Sequence, residues 1–232
     1  MGGSDPCIVL EDADLEIAVK MAALGRIQNA GQICTSPKRI IVMESMAEKF
    51  IQKAKELYEG LNVGDPLDEQ VHMGPVVTEA ARDQILDQVN KTVQAGATLV
   101  YGGKKLDVPG AFMEPTILTG IKPGMVAYSE EIFGPVLCIY VVKDENEAVA
   151  VANDSKFGLG GTIICKDEER AVNVARRIET GMVFINHVTS SMPELIFGGT
   201  KHSGYGRELS EEGIKELVNH KLIRISKPDA PY

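Results

Sequence analysis

Apolar residues along the chain fall into two recurring patterns: short unbroken runs, and longer stretches in which they return every three or four positions. The runs at residues 7–10, 38–43, 135–142, 161–165 and 182–185 are short and bounded by Gly, Pro or charge, so they predict strands, the longest of them covered on both faces. A further strand is expected at residues 98–101 and an extended piece at 115–118. The periodic stretches predict helices over about residues 15–29, 45–59, 78–95, 144–153, 167–179 and 210–219.

Helix ends carry their own signals. Asp12 and Asp14 are N-cap candidates for the first helix, Ser45-Met46-Ala47-Glu48 is a capping-box sequence for the second, and Asp144 to Glu147 caps the fourth. Gly60 and Gly96 follow the second and third. Residues 102–125, rich in Gly and Pro, predict a surface path with few helical turns. The last apolar run, Leu222-Ile223-Arg224-Ile225, reads as a terminal strand, which is an exposed edge unless another strand pairs with it. Strands alternating with long helices describe an α/β fold: a three-layer open, mostly parallel sheet with helices on both faces, in one domain without repeats or internal linkers.

Charge narrows the function. With 24 basic against 33 acidic residues, a net charge of −9, nothing in the electrostatics favours nucleic acid or an anionic membrane surface. No apolar run reaches membrane-spanning length, and the N-terminus has neither a basic region nor an apolar core of a leader. The four cysteines, Cys7, Cys34, Cys138 and Cys165, are widely spaced and form no Cys-x-x-Cys pair, so reduced thiols in a cytoplasmic compartment are expected. The histidines at 72, 187, 202 and 220 have no metal-ligand spacing, and no metal site is assigned.

Three stretches carry candidate chemistry. In Gln28-Asn29-Ala30-Gly31-Gln32-Ile33-Cys34-Thr35-Ser36-Pro37 a helical pattern stops, with Gly31 suited to the left-handed conformation and Pro37 blocking continuation, so Cys34 falls in a turn. A thiolate there suits attack on a carbonyl, and the amides of Asn29 or Gln32 would be donors for an oxyanion. A lone cysteine is more often a buried structural residue, and that reading stays open at this point. Glu130-Glu131-Ile132-Phe133-Gly134-Pro135 offers a carboxylate for ribose hydroxyls and an aromatic for a flat ring, against the plainer reading of a solvated acidic pair and a core phenylalanine. Residues 198–206, rich in glycine, fit neither a Walker loop nor a dinucleotide fingerprint and read as a structural turn.

Together these pieces resemble the aldehyde dehydrogenase superfamily along the whole chain. Gly31-Gln32-Ile33-Cys34 matches the family's Gly-Gln-x-Cys, residues 130–135 match Glu-Glu-x-Phe-Gly-Pro, Asn186 matches an Asn after an apolar strand, and Phe197 through Glu208 matches Phe-Gly-Gly-x-Lys-x-Ser-Gly-x-Gly-Arg-Glu. Residues 2–6 and 25–29 and the tail of the Phe197 motif are most similar to bacterial succinate-semialdehyde dehydrogenases. The resemblance implies that Cys34 forms a thiohemiacetal with a small aldehyde, that hydride passes to NAD or NADP, and that the resulting thioester is hydrolysed. It places Glu131 on the nicotinamide ribose, Phe133 beside the nicotinamide ring, and Asn186, His187 and Phe197 on the substrate side. An acid substrate needs an anchor, sought in residues 187–191, with Arg26 as a second candidate.

The family's general base is a glutamate just before the Gly-Gly that here follows Met1, and a dinucleotide-binding half precedes it. The chain is therefore expected to be the C-terminal catalytic half, with an oligomerisation strand at about residues 221–226, a homo-oligomeric state, and a separately encoded N-terminal half as the partner it would need. Alone it is expected to be inactive as a dehydrogenase. The alternatives are a stand-alone thiol protein with weak esterase activity, or an inactive structural remnant.

Overall fold

The computed structural model describes residues 2–228. Its central sheet is built from β1 (Pro6–Val9), β2 (Arg39–Met43), β3 (Thr98–Tyr101), β4 (Thr116–Thr119), β5 (Val136–Val142), β7 (Thr162–Ile164) and β8 (Phe184–Ile185), and β6 (Phe157–Gly158) pairs with β9 (Thr200–Lys201) in a separate two-stranded ladder. The strand order is β3-β4-β5-β2-β1-β7-β8, parallel throughout except for the antiparallel β3 at one edge. Apolar side chains stand in register across the middle: Ile8 beside Ile41 and Ile163, and Ile40 beside Ile139. Every residue of β1 and β2 is buried, as in strands covered on both faces.

The helices are α1 (Leu15–Ile27), α2 (Glu44–Glu59), α3 (Glu79–Gln94), α4 (Val126–Ser129), α5 (Glu145–Asn153), α6 (Glu168–Ala175) and α7 (Ser210–Lys215). The β1–α1–β2 crossover steps toward β5, whereas the connection through α5 steps back past β2 and β1. Right-handed crossovers in opposite directions put α1 and α5 on opposite faces. The expected α/β architecture is the one observed.

Several local expectations are corrected. α2 begins at Glu44 directly after β2, with Met43 at the N-cap position and no side-chain cap, so Ser45 lies inside the helix and the capping box is not formed. Of the two aspartates before α1, Asp14 caps it by accepting from the Glu16 and Ile17 amides, while Asp12 accepts from the amides of Lys166 and Asp167 across the sheet. α6 and α7 are shorter than their periodic patterns. The expected terminal strand at Leu222-Ile223-Arg224-Ile225 is not formed: a strand needs a neighbour for its backbone groups, and this segment finds none among the described residues.

Candidate active site

The site assembles at the amino-terminal edge of the parallel strands. Residues 2–5 enter β1, the Cys34 turn enters β2, residues 131–135 enter β5, and Gly160 and Gly161 enter β7, so four strand starts bring their preceding loops together. α1 runs to Ile27 and tightens into a 3-10 turn over Gln28–Gly31, in which Asn29 and Ala30 have φ of 49° and 52°. Gly31 follows at φ 74°, and a Cβ there would collide with the Gly134 carbonyl, so glycine is required both by the backbone angle and by this close approach. The next residues deliver Cys34 into a turn closed by the Ser36 amide donating to Ile33 O at 3.2 Å.

Buried charge holds the turn. Arg26, on the last turn of α1, is fully buried and donates to Val136 O at 2.9 Å, Ile132 O at 2.7 Å, the Gly134 carbonyl and Ser36 Oγ at 3.0 Å. It fastens the cysteine turn to the 131–136 segment and has no donor group left facing solvent, which excludes it as the anchor for an acid substrate. Lys38, 4 % exposed, sits under the turn: Nζ donates to Cys34 O at 2.9 Å and Ile33 O at 3.1 Å, and lies 3.2 Å from Glu131 Oε1. The same ammonium stands 5.9 Å from the Phe133 ring centroid, and Phe133 is substantially exposed. Asp5 lies behind Lys38 with Oδ1 accepting from the Gly160 amide at 3.1 Å and Oδ2 without a hydrogen-bond partner. Burial pushes its carboxyl up to about 6, against the opposing pull of Lys38. Burial, with Arg26 nearby, pushes the Lys38 ammonium down to about 8, partly offset by Asp5 and Glu131.

The four thiols separate cleanly. Cys7 and Cys138 are buried in strands with their thiols pushed up to about 12 by burial, and Cys165 is buried and pushed up to about 11 by burial and the Asp12 carboxylate. Cys34 is the one that is not buried.

The structure gathers some of the remaining candidates and not others. Asn29 Nδ2 donates to Gln32 O and Gln32 Nε2 to Asn29 O, so both amides lock the turn, and Gln32 Oε1 accepts from Val77 N. His187 and Val188 line a groove of about 420 Å³ with Lys20, Met21 and Gln28. Gln28 also borders a larger groove of about 790 Å³ between the end of α1 and residues 72–77, and Cys34 lines neither. Phe197 is half-buried and paired with Glu208 in an isolated bridge that pinches the glycine-rich loop. Within that loop Ser203 is buried, donating to Gly2 O and accepting from the Gly158 amide, as suits a structural turn. Asn186 stands apart: its side chain accepts from the Cys165 amide and donates to the Cys165 carbonyl at the opposite, carboxyl end of β7, which leaves it outside the cluster around Cys34. Sequence reasoning missed Lys38 and Asp5. Their signal was present, as charged residues directly abutting apolar strand runs.

The sequence profile of the aldehyde dehydrogenase family matches residues 1–223. The chain belongs to that family. It is 48% identical over 224 residues to a succinate-semialdehyde dehydrogenase [NADP(+)] of Deinococcus radiodurans, covering 97% of this chain and 47% of the relative. It is 47% identical to the succinate semialdehyde dehydrogenase [NAD(P)+] Sad of Escherichia coli, covering 96% of this chain and 48% of that one. Among solved structures, the succinic semialdehyde dehydrogenase of Streptococcus pyogenes in complex with NADP+ superposes with a TM-score of 0.94 at 47% identity, over 98% of this chain and 50% of the other. The chain thus spans about half the length of the family relatives it matches. No metal-ligand cluster is present among the described residues, and no helix among them is long and apolar enough to cross a membrane.

Proposed function

We propose that these residues form the nucleophile-bearing portion of an NAD(P)-dependent aldehyde dehydrogenase acting on succinate semialdehyde. The observation that carries the reading is the juxtaposition at Lys38: the loop of the only unburied cysteine is tied through one ammonium to the Glu131 carboxylate and the Phe133 ring. Cys34 is the nucleophile, its turn rigid enough to present the thiolate to an aldehyde carbonyl as a thiohemiacetal. Glu131 and Phe133 suit a nicotinamide nucleotide. Glu131 Oε1 lacks a well-directed hydrogen bond despite its ion pair, Phe133 presents an exposed ring, and Gly2 leaves room beside Glu131, where a Cβ would lie 2.9 Å from Oε2. Such a nucleotide, when bound, supplies the hydride acceptor. Glu131 would hold its ribose hydroxyls and Phe133 would pack against its ring, beside the turn that carries Cys34. For the substrate's carboxylate, the groove bordered by Lys20, Gln28 and His187 offers a cation with polar side chains beside it, next to the end of α1 that leads into the Cys34 turn.

The relatives' additional length bears on activity. Among the described residues no carboxylate or histidine hydrogen-bonds the Cys34 thiol, and we assign the general base to the part of the relatives that this chain does not span. Losing a general base commonly costs about two to four powers of ten in rate. The 232-residue chain alone is expected to give no sustained NADPH formation with succinate semialdehyde. Joined behind the preceding half of the Deinococcus radiodurans relative, it is expected to turn over and to lose that turnover in a Cys34→Ser variant. Robust NADPH formation that survives Cys34→Ser refutes the assignment.

A further inference from the structure

Lys38 stands between the proposed nucleophile and nucleotide residues, 4 % exposed at the entry to β2. A lysine buried to this degree is costly, because its ammonium is stripped of water, and it is retained only where its donors are met. Here they are met by groups of the site itself. Nζ bonds the carbonyls of Ile33 and Cys34, pairs with Glu131 Oε1, lies 3.5 Å from Ser36 O and stands over Phe133. Arg26 also joins the cysteine turn to this segment, through Ser36 Oγ and the carbonyls of Ile132, Gly134 and Val136. Among the described residues it is Lys38 that forms the ion pair with Glu131 and binds the Cys34 carbonyl as well.

We propose that Lys38 is a positioning residue whose ammonium locks the Cys34 turn to Glu131 and Phe133 and sets the positive potential felt by an anion approaching the Cys34 thiol. The inference rests on the reading of Cys34 as the nucleophile. Its physical content is that one charge does two things. It orders the turn by binding the carbonyl of the nucleophile residue, and it neutralises the carboxylate that would otherwise repel an anionic substrate beside the thiol. A reaction partner such as a carboxylate-bearing aldehyde arrives as an anion, so the charge state of Lys38 favours that substrate class over neutral aldehydes.

The charge is titratable within reach of experiment. Burial and Arg26 bring Lys38 down to about 8, against Asp5 and Glu131. The charged groups facing it are Arg26 from α1, Asp5 from the entry to β1 and Glu131 from the entry to β5, with Arg39 beyond Asp5. Asp5 changes charge near 6, below the range tested, and Arg26, lowered by burial only to about 10, keeps its charge across it, so the change within that range belongs to Lys38.

The test compares alkylation of Cys34 by iodoacetate, an anion, and iodoacetamide, its neutral analogue, by peptide mapping on the full chain from about pH 7 to about pH 9.5. Both reagents attack the same thiolate, so the ratio of their rates cancels the thiolate fraction and any general loosening of the turn, and reads the local potential. The wild-type ratio is expected to fall roughly threefold to tenfold as pH rises through about 8. In Lys38→Met the ratio is expected to be low and flat, and in Lys38→Arg high and flat, because the guanidinium keeps its charge. A wild-type ratio that does not change with pH overturns the proposal, and this measurement needs no variant to fold. A Lys38→Met chain that folds and keeps the wild-type profile overturns it as well. If Cys34 is labelled with a flat ratio, Lys38 alone is misassigned; if Cys34 is not the labelled thiol, the nucleophile reading falls and takes this inference with it.

Discussion

At the scale of single residues, the site is a set of charges held out of water. Arg26, Lys38, Arg39 and Asp5 are all buried within the strand entrances, where hydrophobic packing alone would have placed aliphatic side chains. Each is tolerable because it bonds backbone carbonyls or amides of the loops and of the element ends around it; Arg39, for example, donates to the carbonyl of Ser4 and to those of Val151 and Ala152 in the last turn of α5. Asp5 is the least well satisfied, with Oδ2 unpartnered. Its folded pKa is about 6 against an ordinary value of 3.8, so between those values the folded chain binds more protons than the unfolded one. Stability contributed by Asp5 is therefore present below about pH 4 and lost as pH rises through about 6. Urea denaturation of the wild type and Asp5→Asn from pH 4 to pH 7 is expected to show the wild type losing about 2 kcal/mol relative to the variant across that window. A constant difference contradicts the burial argument.

At the scale of elements, helix ends separate local sequence signals from their use. Asp14 and Ser45 both look like N-caps in sequence, yet only Asp14 accepts from helix amides, because β2 passes into α2 without the extended residue that a Ser45 cap requires. Asp14→Ala is expected to cost about 1 kcal/mol in thermal or urea denaturation. Ser45→Ala, inside the helix, is expected to stay within about 0.5 kcal/mol of the wild type. Equal losses at both positions would mean that α2 is capped after all. The end of α1 follows another logic. A regular helix would carry Cys34 onward in helical register, whereas the left-handed residues Asn29, Ala30 and Gly31 turn the chain back over Gly134 and present the thiol at the sheet edge.

At the scale of the whole molecule, apolar surface is left uncovered at the C-terminal end of the described chain. Leu222, Ile223 and Ile225 are 90%, 76% and 94% exposed on a segment that pairs with no strand. Covering such side chains stabilises an association by roughly 25 cal/mol for each Å² buried, and an extended apolar segment gains backbone pairing from a strand of a second copy. Self-association is the expected result. Light scattering coupled to size exclusion is expected to give a mass above 25.1 kDa that rises with concentration, and the combined Leu222→Ser, Ile223→Ser and Ile225→Ser variant is expected to return toward the monomer mass. A monomer mass for the wild type at all concentrations removes the idea.

Much of this protein was legible in its residues alone. Apolar runs separated by periodic stretches determined the alternation of strands and helices, because periodicity is set over a few residues by the geometry of each element. The motifs around Cys34, Glu131 and Phe197 determined the family. Gly31 and Asp14 were readable for the same local reason, one from backbone sterics and the other from a hydrogen bond three residues long. Tertiary structure decided what depends on residues far apart. It set Arg26 to bind Val136, 110 positions on, and Asp5 to accept from Gly160, 155 positions on, so that neither could be recognised as buried from its neighbours. It carried Asn186 to Cys165 and away from Cys34, and among the described residues it left 222–225 without a strand to pair with. Burial and pairing are properties of the assembled sheet, since a charge or a backbone amide is satisfied only by whatever partner the fold brings beside it.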